Sequence, residues 1–198
     1  MVYGVAAVLL SVSIGVSSIG AVSCDTSYKS GEVTKRLYSD HDSDDLLVKR
    51  IITADEMEAL ISHYTVESGR EDSALIGCGR AFIEASNETG YDPLFLLALA
   101  GIESGWGCSA VHQHKNNPYS MGMYGDGVHN GYTVDSSFYE GVITGAKSIY
   151  EDYYAAGQTT LYSMNHSGDH SFCAEDSNWE AQISLEMQQL NHLLDEMS

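Results

Sequence analysis

Residues Tyr91 to Met123 decide the fold, and they read YDPLFLLALAGIESGWGCSAVHQHKNNPYSMGM. Asp92 suits the N-cap of a helix, and Pro93 suits its first position. Every residue from Leu94 to Ile102 is apolar or glycine, which predicts a helix that is buried on all sides. Gly105 lies where such a helix would end. The stretch therefore predicts a central helix with the rest of the domain packed around it.

The last turn of this predicted helix carries Glu103, the first charged residue after Asp92. Burial and the negative end of the helix dipole both disfavour the charged carboxylate, so the sequence predicts a raised pKa for Glu103. A glycosidase needs such a protonated acid to protonate the leaving-group oxygen. The alternative is a glutamate that turns outward into solvent at a frayed helix end. The spacing alone does not decide between the two.

The residues after Glu103 carry a family resemblance. The motif ESGWG at 103–107 is followed by NNPYSMG at 116–122 and by YSMGMYGD at 119–126. This ordered set resembles the glucosaminidase family of bacterial autolysins, glycoside hydrolase family 73, whose members are peptidoglycan N-acetylglucosaminidases. Further similar segments lie on both sides, and the resemblance covers about residues 75 to 179: FIEASNETGYD at 82–92, GAKSIY at 145–150, GQTTLYSM at 157–164, and the region 170–179.

The resemblance implies a fold and an activity. The fold would be mainly α, a lysozyme-like α+β domain with a small β or loop lobe over the active-site cleft. The activity would be that of a glycoside hydrolase that cleaves the glycan strand of peptidoglycan at N-acetylglucosaminyl linkages, with Glu103 as general acid. The alternatives are a muramidase or lytic transglycosylase of lysozyme-like fold, and a cell-wall-binding module without turnover. The chain departs from the family at Ser120, where glycine is usual, so the geometry of that loop is in question.

Most glycosidases use a second carboxylate beside the acid. The candidates in the predicted loop lobe are Asp126 and Asp135. Each also has a structural interpretation, because an aspartate in a turn usually stabilises the turn, and Asp135 lies next to a helix start. Glu140 is better explained as the partner of Ser137 in a capping box. A mechanism assisted by the N-acetyl group of the substrate would need no second carboxylate.

Five residues are candidates for contact with the sugar rings: Tyr119, Tyr124, Tyr162, Trp106 and Asn117. Aromatic rings pack against the apolar faces of sugars, and a tyrosine hydroxyl binds polar groups at the same time. Tyr162 and Asn117 lie in segments that resemble the family, and Trp106 is predicted to line the pocket of the acid. The alternative for the tyrosines is core packing, since the chain has 13 of them.

The histidines suggest a metal hypothesis that the sequence does not favour. His112 and His114 are two residues apart, and His166 and His170 are four apart, a spacing that could place both on one helix face. However, the segment at 165–168 is typical of a loop, and no cysteine lies at zinc spacing. We therefore expect neither a metal nor another cofactor.

The four cysteines, at positions 24, 78, 108 and 173, are scattered along the chain. Cysteines in an exported protein commonly form disulfides. By the family resemblance, Cys108 follows the catalytic helix and Cys173 lies in a segment expected near the cleft. We therefore expect a Cys108–Cys173 disulfide, which leaves Cys78 as a buried helix thiol.

Charge and hydropathy divide the chain into three parts. The formal net charge of −19 argues against binding to nucleic acid or to an anionic membrane surface. Residues 2–22 contain no charge, which predicts a signal peptide or membrane anchor over residues 1–24. Residues 25–50 are predicted to form an acidic polar linker, and residues 51–198 the glucosaminidase-like catalytic domain. The expected partners are peptidoglycan glycan strands, and the expected location is extracellular or in the cell envelope, secreted or tethered through residues 2–22.

Capping patterns predict the other helices. Thr53 to Glu56 is a capping box, and apolar residues at helical spacing follow it. The pattern predicts a second helix over 72–89, with Gly90 as its stop. Another capping box, Ser137 to Glu140, opens a helix whose apolar stripe runs to Tyr153. The last helix is predicted to begin at Ser177-Asn-Trp-Glu180.

Overall fold

Helices make up most of the part of the chain that the computed structural model describes, which is residues 45–47, 50–123, 133–134, 136–173 and 178–197. A π-helical turn over Tyr150–Tyr154 directly continues the α-helix that ends at Ile149, and a short 3-10 turn over Gly168–His170 follows the α-helix that ends at Asn165. In chain order the α-helices are α1 (Ala54–Tyr64), α2 (Gly79–Thr89), α3 (Pro93–Ser104), α4 (Ala110–Lys115), α5 (Phe138–Ile149), α6 (Leu161–Asn165) and α7 (Trp179–Met197).

Helix α3 is the central element, as its sequence predicts. The Asp92 side chain accepts a hydrogen bond from the Leu94 backbone N–H at 2.9 Å, and Pro93 occupies the first helical position. Every residue from Pro93 to Gly101 is buried. Gly105 ends the helix in the left-handed region at φ 60°, a conformation that a glycine adopts at little cost. A helix of this composition is stable only when other elements cover all of its faces.

The other helices supply that cover. Helix α3 packs against α2 and α7, and α2 in turn packs against α1 and α5. Helix α7 also contacts α1 and α6. The core therefore runs through α3 to both sides, and its largest fully buried side chains include Tyr91, Tyr119, Phe82, Phe95, Met57 and Leu60.

Local signals at the helix starts are confirmed in two places and corrected in one. The Thr53–Glu56 capping box forms, with the Thr53 backbone N–H donating to Glu56 Oε2 at 2.8 Å. The Ser137 hydroxyl oxygen accepts a hydrogen bond from the Glu140 backbone N–H at 3.1 Å, which is one of the two bonds of the capping box predicted there. The prediction that the second helix starts at residue 72 is wrong, since α2 begins at Gly79.

Residues 70–78 form turns because they close the C-terminal end of α3 instead of continuing a helix. The Ser73 hydroxyl donates to the Trp106 carbonyl oxygen at 2.6 Å, and the Ala74 N–H donates to the Gly107 carbonyl oxygen at 3.0 Å. These bonds satisfy backbone groups that the end of a buried helix would otherwise leave without partners. The long-range contact prevails over the helical pattern of the local sequence.

The described residues contain no β-strand, only an isolated antiparallel bridge between Leu47 and Tyr91. The predicted lobe spans residues 107–135. Its described residues, 107–123 and 133–134, contain helix α4 and no strand. Any β character at 124–132 and 135 stays a prediction, because these residues lie outside the described residues. The predicted hydrophobic segment at the N-terminus lies there too. Within the described ranges, no helix has the length and apolar character needed to span a membrane.

Residues 45–47 pack on the domain although the sequence places them in the linker. The Asp45 carboxylate accepts from the Tyr154 hydroxyl at 2.9 and 3.0 Å, and Leu46 is 3% exposed. The Leu46 backbone donates to Thr159 and accepts from the Asp92 N–H. The folded structure therefore includes these residues ahead of 51. Residues 25–44 and 48–49 of the predicted linker lie outside the described residues.

Candidate active site

Glu103 lies on the last turn of α3, where the chain is tightly folded by its own hydrogen bonds. The Trp106 N–H donates to the Gly101 carbonyl oxygen at 2.7 Å, and the Gly107 N–H donates to the Ser104 hydroxyl at 2.9 Å. Ser104 is fully buried, whereas Glu103 is partly exposed. The helix end is therefore ordered rather than frayed, and it presents one carboxyl group at the surface.

The Glu103 carboxyl group receives a hydrogen bond from a distant part of the chain. The indole Nε1–H of Trp179, the first residue of α7, donates to Glu103 Oε1 at 3.1 Å. Trp179 is 2% exposed, so its ring is fixed by its surroundings. The packing of α7 on α3 brings together two residues that are 76 positions apart.

Aromatic side chains continue from Trp179 in a row. The Phe172 ring stacks on Trp179 with centroids 5.0 Å apart, and the Tyr153 ring lies 5.3 Å from that of Phe172. The His170 ring stacks on Tyr153 at 5.3 Å, and its Nε2 lies 2.7 Å from the Asp152 carbonyl oxygen. We call Trp179, Phe172, Tyr153 and His170 the aromatic row.

Tyr153 is also electrostatically coupled to Glu103. Burial raises the pKa of Tyr153, and the charges of Asp152 and Glu103 raise it further. The hydroxyl end of Tyr153 therefore shares its environment with the carboxyl group. The row thus extends from the acid through four residues, of which Trp179 is buried, Phe172 and Tyr153 are partly exposed and His170 is exposed. Exposed aromatic rings of this kind can pack against the apolar face of a sugar.

A second ring pair lies beside the start of α7. The Tyr162 and His166 rings stack with centroids 4.1 Å apart, and Tyr162 is 44% exposed. His166 Nδ1 lies 3.2 Å from Glu180 Oε2, and Glu180 follows Trp179 in the chain. An exposed aromatic face held by a histidine and a carboxylate is a suitable surface for a polar, ring-shaped ligand.

A buried histidine connects α4 to the loop after it. His112 Nδ1 lies 2.6 Å from the Ser109 hydroxyl, and its Nε2 lies 2.8 Å from the Ser120 hydroxyl. Burial lowers the pKa of His112 to about 4, so the ring is neutral at physiological pH. The Ser120 hydroxyl also lies 3.5 Å from the Glu103 carbonyl oxygen. The network therefore fixes the loop next to the acid.

The curated proteins that are similar to this chain are named N-acetylglucosaminidases. No family model matches the chain. A protein of Streptococcus pneumoniae named putative endo-beta-N-acetylglucosaminidase is 28% identical over 142 residues, which are 72% of this chain and 21% of that protein. The beta-N-acetylglucosaminidase of Bacillus subtilis is 33% identical over 140 residues, which are 61% of this chain and 16% of that protein. The resemblance to the autolysin glucosaminidases is confirmed.

Solved structures agree with this at the level of the fold. Autolysin E of S. aureus has a TM-score of 0.62 at 20% identity, and the match covers 85% of this chain and 80% of that one. A major bifunctional autolysin has a TM-score of 0.51 at 22% identity over 83% of this chain and 73% of that one. The glucosaminidase-like domain spans about a fifth of the length of the curated relatives it matches.

Two predicted substrate-binding residues, Tyr119 and Asn117, are buried in the core of the domain. Tyr119 is fully buried, with its hydroxyl donating to the Val142 carbonyl oxygen at 3.3 Å. Asn117 is also fully buried, and its amide bonds both the N–H and the carbonyl oxygen of Met121, at 3.0 and 2.9 Å. These contacts give both residues a role in holding the loop, and their contact with substrate stays a prediction.

Trp106 is placed as a wall of the helix end. Its ring is 8% exposed and stacks on Tyr64 at 4.2 Å, while its other face lies against Gly101 of α3. Tyr124, Asp126 and Asp135, the other predicted site residues, lie outside the described residues. Their roles stay predictions, as does the identity of the second carboxylate.

The predicted Cys108–Cys173 disulfide is not formed. Cys78, Cys108 and Cys173, the cysteines in the described part of the chain, form no disulfide. The Cys108 sulfur lies beside Asp72 and the Trp106 carbonyl oxygen, at 3.8 and 3.7 Å, so it belongs to the turns that close α3. Burial and the charge of Asp72 raise the pKa of Cys108, which favours the protonated thiol.

The histidines are placed apart from one another. His112 bonds two serines, His166 faces Glu180, and His170 faces a backbone carbonyl. In the described part of the chain, no three His, Cys, Asp or Glu side chains are grouped so as to hold a metal ion. The three histidines therefore contact different groups, and their ring nitrogens do not point to a common site.

Sequence reasoning missed the aromatic row as a unit. Tyr153 reads as the end of an apolar helical stripe, and Trp179 as part of a helix start. The π turn ends the α-helical spacing at Ile149, so the positions of the tyrosines after it do not follow from the stripe. The available signal was the family resemblance of the 170–179 region, which marked the segment without giving its contact to Glu103.

Proposed function

We propose that this domain hydrolyses the glycan strand of peptidoglycan at N-acetylglucosaminyl linkages, with Glu103 as the general acid. The observation that carries the proposal is the Glu103 carboxyl group itself. It is partly exposed at the end of a buried helix, held by the Trp179 indole, and adjoins the aromatic row. A general acid requires such a fixed carboxyl group beside a surface that can hold the sugar.

The similar proteins support the substrate class. The curated relatives are named N-acetylglucosaminidases. Autolysin E of S. aureus has been solved with the disaccharide NAG-NAM, in a catalytic mutant in which a glutamate is replaced by alanine, and with the muropeptide NAM-L-Ala-D-iGlu. Peptidoglycan fragments are therefore the ligands of a protein with the same fold. We extend that substrate class to this chain.

In the proposed reaction Glu103 donates its proton to the oxygen of the leaving sugar as the glycosidic bond breaks. The positive charge that develops at the anomeric carbon needs a partner on the opposite face. Asp126 and Asp135 are the candidate carboxylates for that partner. The N-acetyl group of the substrate could serve instead, since its carbonyl oxygen can attack the same carbon.

Replacing the acid tests the proposal directly. We expect Glu103→Gln to lower the release of muropeptides from purified peptidoglycan by at least about a hundredfold, because a general acid typically contributes that much or more. Glutamine keeps the size of the side chain and can still accept the Trp179 hydrogen bond. The control is Glu67→Gln, which removes an exposed carboxylate that pairs with His63. Release at the wild-type rate by Glu103→Gln would disprove the assignment.

Mass spectrometry of the released fragments separates the alternatives. An N-acetylglucosaminidase leaves N-acetylglucosamine at the reducing end, whereas a muramidase leaves N-acetylmuramic acid and a lytic transglycosylase leaves an anhydro form of it. A wild-type protein that binds peptidoglycan but releases no fragments would be a binding module. We expect reducing-end N-acetylglucosamine.

We also propose that the protein works in the cell envelope. Its proposed substrate lies outside the cytoplasmic membrane, and residues 2–22 lack charge, as an export signal or tether requires. Fractionation of cells that produce the full chain, with detection in the medium, envelope and cytoplasm, tests this location. Recovery of the protein in the cytoplasm alone would contradict it.

A further inference from the structure

The contact between Trp179 and Glu103 is a fixed feature of the site. Trp179 begins α7, and α7 packs along α3, so the two backbones are held together by the core. The indole N–H donates to Glu103 Oε1 at 3.1 Å, within normal hydrogen-bond distance. The indole ring itself is buried, at 2% exposure.

The aromatic row keeps the indole in this orientation. Phe172 stacks on the indole face, and the Phe172 backbone N–H donates to the Met164 carbonyl oxygen at 2.8 Å. Tyr153 in turn supports Phe172 from the π turn. The indole therefore cannot rotate away from Glu103 without disturbing three packed rings.

An indole N–H can donate a hydrogen bond but cannot accept one. The oxygen that receives it must present a lone pair whether the carboxyl group is charged or neutral. In the neutral acid both oxygens keep lone pairs, but the carbonyl oxygen is the stronger acceptor, so the bond favours the form with Oε1 as the carbonyl oxygen and the proton on Oε2. We propose that Trp179 is a positioning residue that assigns the transferable proton of Glu103 to Oε2 and aims that oxygen at the substrate. This inference rests on the proposed function of Glu103 as general acid.

A donated hydrogen bond has a predictable electrostatic effect. It is stronger to a charged carboxylate than to a neutral acid, so it favours the ionised form. Loss of the N–H would therefore allow Glu103 to keep its proton to higher pH. At the same time the freed carboxyl group would spend less time with its proton aimed at the leaving oxygen, and the maximal rate would fall.

Other ionisable groups around Glu103 come from several elements. Tyr153 on the π turn has a pKa raised by burial and by the charges of Asp152 and Glu103, so it stays protonated over the useful range. His112 on α4 has a pKa lowered to about 4 by burial, so it stays neutral there. Neither group titrates on the alkaline side of the activity profile near neutral pH.

Another ionisable pair, among the described residues, joins the residue after α6 to α7. His166 Nδ1 lies 3.2 Å from Glu180 Oε2, one residue after Trp179. A change confined to the indole nitrogen leaves that pair in place. The pair then contributes in the same way to both of the profiles that are compared.

The sharpest test replaces Trp179 with 3-benzothienyl-L-alanine by site-specific incorporation. This residue has nearly the shape of tryptophan, with a sulfur atom in place of the N–H, so the aromatic row keeps its packing. We expect the alkaline limb of the kcat/KM profile on purified peptidoglycan to move up by roughly one pH unit. We expect kcat at the optimum to fall about tenfold. Trp179→Phe should move the limb in the same direction, with a loss of stability as well.

The matched control is Tyr139→Phe. It also removes an aromatic hydrogen-bond donor from a glutamate, since the Tyr139 hydroxyl donates to Glu84 Oε2 at 3.1 Å. Its alkaline limb and kcat should match those of the wild type. Thermal unfolding of each protein, followed by circular dichroism, shows whether the fold is retained.

The outcomes are distinct. An active wild type and a folded benzothienylalanine variant with an unchanged alkaline limb would overturn the positioning role while leaving the proposed function intact. A wild type that releases no glycan fragments would overturn the proposed function and this role together. An upward shift of the limb confined to the Trp179 variants would support both.

Discussion

Ser120 has an unfavourable backbone conformation, and its side chain makes a hydrogen bond that stabilises the loop. Its φ of 56° lies in the left-handed region, where glycine is favoured, and glycine is usual here in the family that the chain resembles. The serine hydroxyl bonds His112 Nε2 at 2.8 Å. Glycine has no side chain that could make this bond to the buried imidazole. The serine therefore fixes the loop beside Glu103, although its backbone is strained.

The buried His112 makes stability depend on pH. Its folded pKa of about 4 is below the ordinary value of 6.5, so the unfolded chain binds a proton first as the pH falls. The stabilisation of the folded state by the neutral His112 is fully present above about pH 6.5 and is lost as the pH falls toward 4. We expect His112→Gln to flatten the decline of the free energy of unfolding across this window, by roughly 3 kcal/mol in total.

Urea unfolding at a series of pH values between 4 and 7 measures that slope. The matched control is His114→Gln, two residues along the same helix, where the histidine is exposed. The control should keep the wild-type pH dependence. If His112→Gln declines as steeply as the wild type, the histidine is not buried in its neutral form.

At the scale of elements, close approach between α5 and the loop after α4 sets the position of that loop. A Cβ built on Gly141 of α5 would lie 2.1 Å from the Asn116 carbonyl oxygen and 3.3 Å from Pro118. The Asn116 backbone is itself left-handed, at φ 50°. Because the obstacle is backbone, a side chain at position 141 could be accepted only if the loop moved.

We therefore expect Gly141→Ala to destabilise the domain by about 1–3 kcal/mol, although alanine is the better helix former. Movement of the loop should also lower the rate of muropeptide release by more than the loss of stability explains. Ser148→Ala, on the same helix, is the control, since the Ser148 hydroxyl donates to the Thr144 carbonyl oxygen of its own helix. The comparison uses urea unfolding and initial rates. Equal stability of the two variants would show that the loop is not held by this contact.

At the scale of the whole molecule, residues 45–47 tie together parts of the chain that are far apart in sequence. Leu46 is buried between the start of α3 and the segment around Thr159, and Asp45 reaches Tyr154 on the π turn. Arg50 extends the same connection to α7 through Asp195, at 2.6 Å. A segment with this many long-range contacts contributes to the core rather than to a linker.

Leu46 and Leu47 offer an adjacent pair for testing this contribution. We expect Leu46→Ala to lower the free energy of unfolding by about 2–3 kcal/mol, because it leaves a cavity at a position that is 3% exposed. Leu47→Ala, at 36% exposure, should cost well under half as much. Chemical denaturation monitored by tryptophan fluorescence measures both. Equal, small effects would mean that the folded domain begins after these residues.

Local signals in the sequence were enough for some parts of the fold. The buried helix with Asp92 as its cap and Gly105 as its end follows from residues that interact with their own neighbours. The start of α2 did not follow, because residues 70–78 are shaped by the end of α3, about 30 residues later. Short-range patterns carry no information about such closing contacts.

The candidate site divides in the same way. Glu103 could be found from its position on a helix end and from the family resemblance. Its partner Trp179 could not, since their contact depends on how α7 packs on α3. Tyr119 and Asn117 lie in the resembling segment, yet their side chains turn inward to hold the loop. Sequence gives residue types and order, but not which way a loop residue faces.

The π turn over Tyr150–Tyr154 directs two adjacent tyrosines, Tyr153 and Tyr154, to different parts of the molecule. Tyr153 joins the ring stack that reaches toward the acid, while Tyr154 binds Asp45 on the N-terminal segment. Deleting a single residue from this turn would restore ordinary helical spacing and swing one of the two phenol groups off its target. A point mutation at either tyrosine should leave the contacts of the other tyrosine in place, whereas a change in the length of the turn should disrupt the contacts of both.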